Sequence, residues 1–354
     1  MEYVLKCTKC SKTYPSSYKS QTCDLCGGIL EVIYDYKINR KVFENAQSFW
    51  DFEPLMPKGI YKHFELGMTK LIPSKERNLF FKLEFENPTK SFKDRGSIIE
   101  VAKAKEYGYD SIACASTGNM AYSISYYAKL YGINSSVFIS KGANKDKLIN
   151  IKDTHDAELH LINGDFTKAQ RDAELYAKKN NAFLGGDYCY RKEGQATIAY
   201  EMFMQRPSLS NIIVPVGNAT LFSALYKAYA MLKKAHIVKT VPRLIGVEAE
   251  NCSPIYNAIK SNSSIKYTKP RTLADAIAVG MPTYGDQAIE AVNNTEGLFV
   301  TVSDKEMAAS QEQFYMEYGI KIELAAAAGI AASKKLSRTI KNEETAIILT
   351  GANI

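Results

Sequence analysis

The sequence lacks several features that would assign it to a special class of protein. No apolar run in its 354 residues approaches the roughly 20 residues that cross a membrane as a helix, so we expect no membrane span. Its start has no basic segment followed by an apolar one, so we expect no signal peptide and a cytoplasmic location. Internal repeats and low-complexity tracts are also missing. What remains is a globular protein with one large core or two lobes.

Clustered basic charge is lacking as well. The formal net charge is +7, from 45 lysines and arginines against 38 aspartates and glutamates, but the basic residues are spread along the chain. A positive excess suits anionic small molecules, whereas a nucleic-acid site usually shows a basic patch. We therefore expect a small-molecule substrate and no nucleic-acid partner.

Cysteines are few, but four of the seven lie together near the start. An odd total in a cytoplasmic chain argues against a disulfide framework. Cys7 with Cys10 and Cys23 with Cys26 form two Cys-x2-Cys pairs, and four such thiolates can surround one tetrahedral zinc without leaving an open position for chemistry. The pattern predicts a structural zinc ribbon over residues 1–35. A redox dithiol pair and a ribbon without metal remain open.

From residue 97 onward, short apolar runs alternate with amphipathic stretches. The predicted strands are 111–115, 136–139, 158–162, 182–184, 212–216, 244–247, 298–302 and 346–349. The predicted helices are 119–131, 144–153, 167–180, 193–205, 220–234, 304–317 and 323–336. Such alternation is typical of an α/β fold with parallel-rich sheets covered on both faces.

One lysine lies at an unusual place for a surface cation. Residues 87–89, Asn-Pro-Thr, form a turn signal, and Ser91 can then cap a helix whose first turn contains Lys93. The positive end of a helix dipole disfavours an ammonium, and an amine that attacks an aldehyde must be neutral. The plainer alternative is a solvated lysine beside Asp94 and Arg95.

Four further segments carry polar groups near predicted strand ends, where ligands of open parallel sheets bind. Residues 116–120 can hold a carboxylate and residues 216–220 a phosphate, through backbone N–H groups. Arg191 can bind a phosphate through two hydrogen bonds, and Thr350 can face a ring nitrogen. Each segment also has a plainer explanation: helix capping, a strand–helix turn, or a surface arginine beside Glu193.

Together these residues resemble the threonine synthases, within the tryptophan-synthase-β-like (fold type II) family of pyridoxal-phosphate enzymes. The resemblance covers nearly the whole chain, and the ribbon is similar to that of many microbial members. Its most specific motifs are residues 87–89, 91–96, 116–119, 193–195 and 215–219. It implies a two-lobed α/β fold. The expected parts are a ribbon of residues 1–35, a large cofactor-binding lobe of residues 36–95 and 190–354, and a small lobe of residues 96–189.

The resemblance also implies roles for single residues. Lys93 would hold pyridoxal phosphate as a Schiff base and move protons during the reaction. The cofactor would be held by Lys93, Asn119, Gly217, Asn218, Ala219, Thr220 and Thr350. The substrate carboxylate would be held by Ser116, Thr117 and Met120, and the substrate phosphate by Arg191. Zinc would be held by Cys7, Cys10, Cys23 and Cys26.

The implied reaction converts O-phosphohomoserine and water to threonine and phosphate, by γ-elimination and β-addition, which makes the protein a carbon–oxygen lyase. We also expect a homodimer. Residues 185–190 read Gly-Gly-Asp-Tyr-Cys-Tyr where the family often has Asn-Ser and Asn-Pro, and an aspartate is unfavourable beside a phosphate. Two alternatives within the family are a threonine or serine dehydratase and a β-replacement enzyme that uses O-phosphoserine. A third alternative is a binding or regulatory module whose ribbon contacts a partner.

Overall fold

The computed structural model describes residues 2–35, 38–76, 78–116, 118–140, 151, 156–164 and 166–353. Thr117 and, apart from Ile151, the predicted helix 144–153 lie outside these residues. The chain divides into two compact units. Unit 1 comprises Met1–Lys37, Ser48–Leu66 and Lys93–Gln195; unit 2 comprises Ile38–Gln47, Gly67–Phe92 and Ala196–Ile354. The units change at residues 92–93 and 195–196, and residues 48–66 belong to unit 1. The predicted division into a ribbon, a large lobe and a small lobe stays a prediction.

Unit 1 begins with a small antiparallel sheet. Its strands are β1 (Tyr3–Cys7), β2 (Thr13–Pro15) and β3 (Leu30–Tyr34), in the order β2-β1-β3. Burial alternates along β1, so that Leu5 is inside while its neighbours are exposed. This alternation is the ordinary pattern of a sheet with one face covered.

A second sheet of unit 1 is parallel and has the order β8-β7-β6-β9. Its strands are β6 (Ser111–Ala115), β7 (Asn134–Ser140), β8 (Glu158–Ile162) and β9 (Phe183–Leu184). Among the described residues, the longer helices of this unit are α1 (Lys93–Glu106), α2 (Asn119–Tyr131), α3 (Phe166–Lys179) and the start of α4 (Cys189–Gln205). On α3, Ala169, Ala173 and Ala177 recur every four residues and pack on the sheet, because small side chains let a helix approach closely.

Unit 2 is built on six strands in the order β12-β11-β10-β13-β5-β4. They are β4 (Leu71–Pro73), β5 (Leu79–Leu83), β10 (Asn211–Pro215), β11 (Arg243–Ala249), β12 (Leu298–Val302) and β13 (Thr345–Leu349). All neighbours are parallel except β4 and β5. Every residue of β10 and β13 is buried, as expected for central strands covered on both faces.

Five helices beyond α4 belong to unit 2. They are α5 (Thr220–Lys234), α6 (Pro254–Ser261), α7 (Gly285–Thr295), α8 (Asp304–Tyr318) and α9 (Leu324–Lys335). Short 3-10 helices lie at Arg40–Phe43, Phe49–Leu55, Glu84–Glu86 and Asp275–Ile277. The sequence analysis did not predict α6 or α7. None of the helices in the described residues has the length and apolar character needed to cross a bilayer.

Several predicted boundaries differ from the structure by one or two residues, and the largest difference lies at the start of α4. Helix α4 begins at Cys189, four residues earlier than the predicted start at 193, so that Arg191 and Lys192 are helical rather than part of a loop. Charged residues made this stretch look like a surface turn, yet both side chains are buried and paired within unit 1.

Candidate active site

Two backbone hydrogen bonds join residues 90–92, which precede Lys93, to residues 350–352 of unit 2. The N–H of Phe92 donates to the carbonyl of Thr350 at 3.0 Å, and the N–H of Ala352 donates to the carbonyl of Lys90 at 3.1 Å. Lys90 has a left-handed backbone conformation, with φ of 61°, which turns the chain before the helix. The next peptide bond joins Phe92 to Lys93.

Lys93 is the first residue of α1, so it lies in the first turn as predicted, although the helix begins one residue after the predicted start at Phe92. Its side chain is 19% exposed, and its Nζ lies 3.9 Å from Oδ1 of Asp187, whose side chain is 7% exposed. One turn and two turns further along α1, Ser97 and Glu100 lie on the same helical face as Lys93.

Arg191 is fully buried and its guanidinium contacts acceptors inside unit 1. Its Nε donates to the carbonyl of Gly186 at 2.9 Å, and its two terminal nitrogens donate to Lys93 O at 3.3 Å, Ser97 Oγ at 3.1 Å and Glu100 Oε2 at 2.5 Å. Burial raises the pKa of Glu100, while the charge of Arg191 opposes that rise. The guanidinium is thus paired with a carboxylate of its own unit, and a bond from Arg191 to a substrate phosphate stays a prediction.

Sequence reasoning missed Glu100. A signal was present, because this carboxylate interrupts the apolar run from Ile98 to Ala102 at a spacing of seven residues from Lys93. A charged side chain on the buried face of a helix usually has a partner. Here that partner is Arg191.

The start of α2 carries three predicted ligands. Ser116 Oγ accepts hydrogen bonds from the N–H groups of Gly118 at 3.2 Å and Ala121 at 3.1 Å, so the capping explanation describes its contacts. Asn119 is the first residue of α2 and is half-buried, whereas Met120 is buried. Their roles toward cofactor and substrate stay predictions.

The predicted phosphate loop joins β10 to α5 in unit 2. Ala219 has a left-handed conformation, with φ of 61°, and α5 begins directly after it. Asn218 fixes the loop, since its Oδ1 accepts from the N–H and hydroxyl of Thr283, both at 3.3 Å, and its carbonyl accepts from Tyr284 N–H at 3.0 Å. At Gly217 a Cβ atom would lie 2.8 Å from the carbonyl oxygen of Ala276, so a larger residue would displace the loop.

A buried hydroxyl supports an anion at this loop. Ser223, in the first turn of α5, is 1% exposed, and its Oγ has no hydrogen-bond partner among the described residues. Buried polar atoms are normally paired, and first-turn N–H groups of a helix attract anions. The loop and Ser223 therefore fit a phosphate group. The sequence analysis did not identify Ser223.

The four ribbon cysteines lie together. Their sulfur atoms are all within 4.8 Å of one another, with Cys7 and Cys26 3.5 Å apart and Cys10 and Cys23 3.6 Å apart. Bonds of about 2.3 Å from a tetrahedral zinc would place sulfurs about 3.8 Å apart. The cluster therefore fits one zinc ion held by four thiolates.

Comparison with known proteins decides the family. The sequence profile of the family described as "Pyridoxal-phosphate dependent enzyme" matches residues 64–351. The chain belongs to this enzyme family. This pyridoxal-phosphate enzyme is 32% identical to the threonine synthase of Methanosarcina acetivorans, over 99% of this chain and 92% of that protein. It is 33% identical to the threonine synthase of Methanocaldococcus jannaschii, over 94% of this chain and 87% of that protein.

These relatives place the pyridoxal-phosphate enzyme in the threonine synthase family and confirm the predicted lyase class. Among solved structures, an aspartate racemase covers 91% of this chain with a TM-score of 0.73 and 20% identity. Maize serine racemase covers 90% with a TM-score of 0.72 and 21% identity. At such low identity the likeness concerns the fold alone, and it confirms the predicted fold type II architecture.

Proposed function

We propose that the enzyme converts O-phospho-L-homoserine and water to L-threonine and inorganic phosphate. The observation that carries this proposal is the match to threonine synthases over nearly the full length of both chains. The bound pyridoxal phosphate supplies a ring that accepts electrons from the substrate carbons. We assign to Lys93 the bond that would hold the cofactor and the transfer of protons at the substrate carbons.

The remaining cofactor contacts are proposed residue by residue. The cofactor phosphate lies at Gly217, Asn218, Ala219 and Thr220, and the unpartnered hydroxyl of Ser223 supports this assignment. Asn119 donates to the ring hydroxyl, and Thr350 meets the ring nitrogen. Ser116, Thr117 and Met120 hold the substrate carboxylate. Each assignment rests on the family resemblance and, except for Thr117, on the position of the residue within its own unit.

We further propose that the ribbon holds one structural zinc ion. Its support is the spacing of the four sulfur atoms, which suits tetrahedral coordination. Metal analysis of the purified enzyme should find about one zinc per chain, and replacement of Cys10 and Cys26 by serine should abolish it. The homodimer and the cytoplasmic location stay predictions.

The proposed activity is tested by adding O-phosphohomoserine to purified enzyme and measuring phosphate and threonine. Equal amounts of both products are expected, together with an absorbance near the visible edge that is lost in Lys93→Ala. If neither product forms while that absorbance is present, the cofactor assignment stands and the substrate assignment is wrong.

A second candidate is a dehydratase that acts on threonine or serine. The observation in its favour is that Arg191, the predicted phosphate ligand, is already paired with Glu100. Asp187 also lies close to Arg191 in the sequence. Both carboxylates would oppose the binding of a phosphate dianion. Ammonia and a keto acid formed from threonine or serine, without phosphate release from O-phosphohomoserine, would support the dehydratase.

A further inference from the structure

A buried ion pair connects two elements of unit 1. Glu100 on α1 and Arg191 on α4 are both fully buried, and their charged atoms lie 2.5 Å apart. The two helices approach closely enough that a Cβ at Gly96 would lie 2.5 Å from Arg191 Cγ. We call Glu100 and Arg191 the bracket. A pair of this kind is rigid, because moving either partner leaves a buried charge uncompensated.

The bracket holds both backbone groups of Gly186. Glu100 Oε1 accepts the Gly186 N–H at 2.9 Å, and Arg191 Nε donates to the Gly186 carbonyl, also at 2.9 Å. Gly186 has φ of +153°, a conformation that side chains disfavour. The position of Asp187, the next residue, therefore depends on the bracket.

The same ion pair also reaches the main chain of Lys93. A terminal nitrogen of Arg191 donates to the Lys93 carbonyl at 3.3 Å. One pair thus holds the backbone of Lys93 and the backbone before Asp187. The carboxylate of Asp187 consequently lies 3.9 Å from the Lys93 amine, and both side chains are largely shielded from water.

Charged residues next to Lys93 and Arg191 in the sequence make contacts of their own. Asp94 accepts a hydrogen bond of 2.6 Å from Ser123 on α2. On α4, Lys192 pairs with Glu31 at 2.6 Å, and Glu193 accepts from the hydroxyl of Tyr34 at 2.6 Å. The charged residues that adjoin Lys93 in sequence or take part in these contacts are Asp94, Arg95, Glu100, Asp187 and Arg191. Of these, Asp187 has a carboxylate oxygen 3.9 Å from the amine, within ion-pair distance.

We propose that Asp187 is a positioning residue that controls the protonation of the Lys93 amine, and that the bracket of Glu100 and Arg191 holds it in place. This inference rests on the proposed function only in taking Lys93 as the reacting lysine. Arg191 then acts on the lysine and its carboxylate partner, in contrast to the predicted role as a phosphate ligand.

The charge of Asp187 should favour the protonated form of the Lys93 amine. A carboxylate at this distance stabilises an ammonium, so the amine keeps its proton to higher pH than it would alone. In the proposed role of Lys93 in proton transfer, its amine would hold a proton taken from the substrate beside Asp187. Replacing Asp187 by asparagine keeps the shape and removes the charge, so the amine should lose its proton at lower pH.

The test measures how readily Lys93 reacts with an amine-selective acylating reagent at different pH values. The full-length chain is used after removal of the cofactor with hydroxylamine, and the Lys93 peptide is quantified by mass spectrometry. In Asp187→Asn the midpoint of reactivity should fall by about one pH unit. Asp172→Asn is the matched control, because Asp172 pairs with Lys168 on the exposed face of α3, and it should leave the midpoint unchanged.

The bracket is tested in the same assay with Arg191→Lys, which retains the charge and loses the forked geometry. Its midpoint should move in the same direction as that of Asp187→Asn, with circular dichroism confirming the fold. The acid limb of the pH profile of kcat in holoenzyme should shift likewise. Identical midpoints for Asp187→Asn and wild type would overturn the inference. No substrate enters the labelling, so this outcome is separate from a failure to release phosphate.

Discussion

At the scale of single residues, Glu248 illustrates how burial changes a carboxylate. Its side chain accepts the N–H groups of Ile255 at 3.2 Å and Tyr256 at 2.8 Å, at the start of α6. Burial nevertheless raises its pKa to about 7, and those two hydrogen bonds only reduce the shift. The folded enzyme therefore keeps a proton on Glu248 at pH values where the unfolded chain has lost it.

This shift predicts a pH dependence of stability. Because the folded pKa is raised, the stabilisation linked to Glu248 is complete below its unfolded value and is lost as pH rises toward 7. Replacing Glu248 by glutamine removes the titration. Thermal unfolding at pH 5 and pH 8 should show a smaller drop in Tm for Glu248→Gln than for wild type. An unchanged difference between the two pH values would contradict the assignment.

Lys82 makes a second residue-scale prediction, within unit 2. Its ammonium is fully buried and donates to Glu201 Oε2 and Thr69 O, both at 2.6 Å, and to Gln205 Oε1 at 3.0 Å. Lys82→Ala would leave Glu201 as a buried, uncompensated charge, which costs on the order of 3–5 kcal/mol. Denaturant unfolding should show this loss.

The matched control is Lys168→Ala. Lys168 pairs with Asp172 at 2.7 Å, but its side chain is 52% exposed. Such a surface pair contributes roughly 0–1 kcal/mol. Equal effects of the two substitutions would show that the Lys82 network is not a buried ion pair.

At the scale of elements, the close contact between α1 and α4 requires a residue without a side chain at Gly194. A Cβ at Gly194 would lie 1.9 Å from the carbonyl oxygen of Arg95, which is backbone and cannot move aside cheaply. Gly194→Ala should therefore separate the helices and disturb the bracket, with a loss of stability well above the cost of an ordinary surface change.

A second glycine serves as comparison for that prediction. Gly132 ends α2 with φ of +66°, and a Cβ there would meet nothing within 4 Å. Gly132→Ala should cost only about 1 kcal/mol, from backbone strain alone. Urea unfolding of both variants separates steric overlap from conformational strain, and a smaller effect at Gly194 than at Gly132 would refute the close helix contact.

The ribbon is also connected to the start of α4. Glu31 and Tyr34 on β3 bond to Lys192 and Glu193, and Gln21 donates to the carbonyl of Leu184 at 2.7 Å. Removing the zinc that we propose for the ribbon should loosen the ribbon and, through these bonds, the residues around Arg191. Hydrogen exchange after chelation should rise at residues 188–194 and stay unchanged in α8 of unit 2. Unchanged exchange at residues 188–194 would show that the ribbon does not support α4.

At the scale of the whole molecule, alternating apolar runs predicted the parallel strands, and the central strands β10 and β13 are buried on both faces. The same pattern did not identify α6 and α7, since helices of 8 and 11 residues offer few turns of periodicity. The Lys93 helix start and the 216–220 loop could be predicted because their local turn chemistry is specific. The pairing of Glu100 with Arg191 could not be predicted from the sequence, because the two residues are 91 positions apart and only the fold brings them together.

The central claim is that this member of the threonine synthase family cleaves the Cγ–O bond of O-phosphohomoserine and adds water at Cβ. The most direct measurement is the reaction in ¹⁸O-labelled water, with both products examined by mass spectrometry. The proposal predicts one ¹⁸O in the hydroxyl of threonine and none in the first-formed phosphate. Labelled phosphate with homoserine, or no threonine at all, would contradict it.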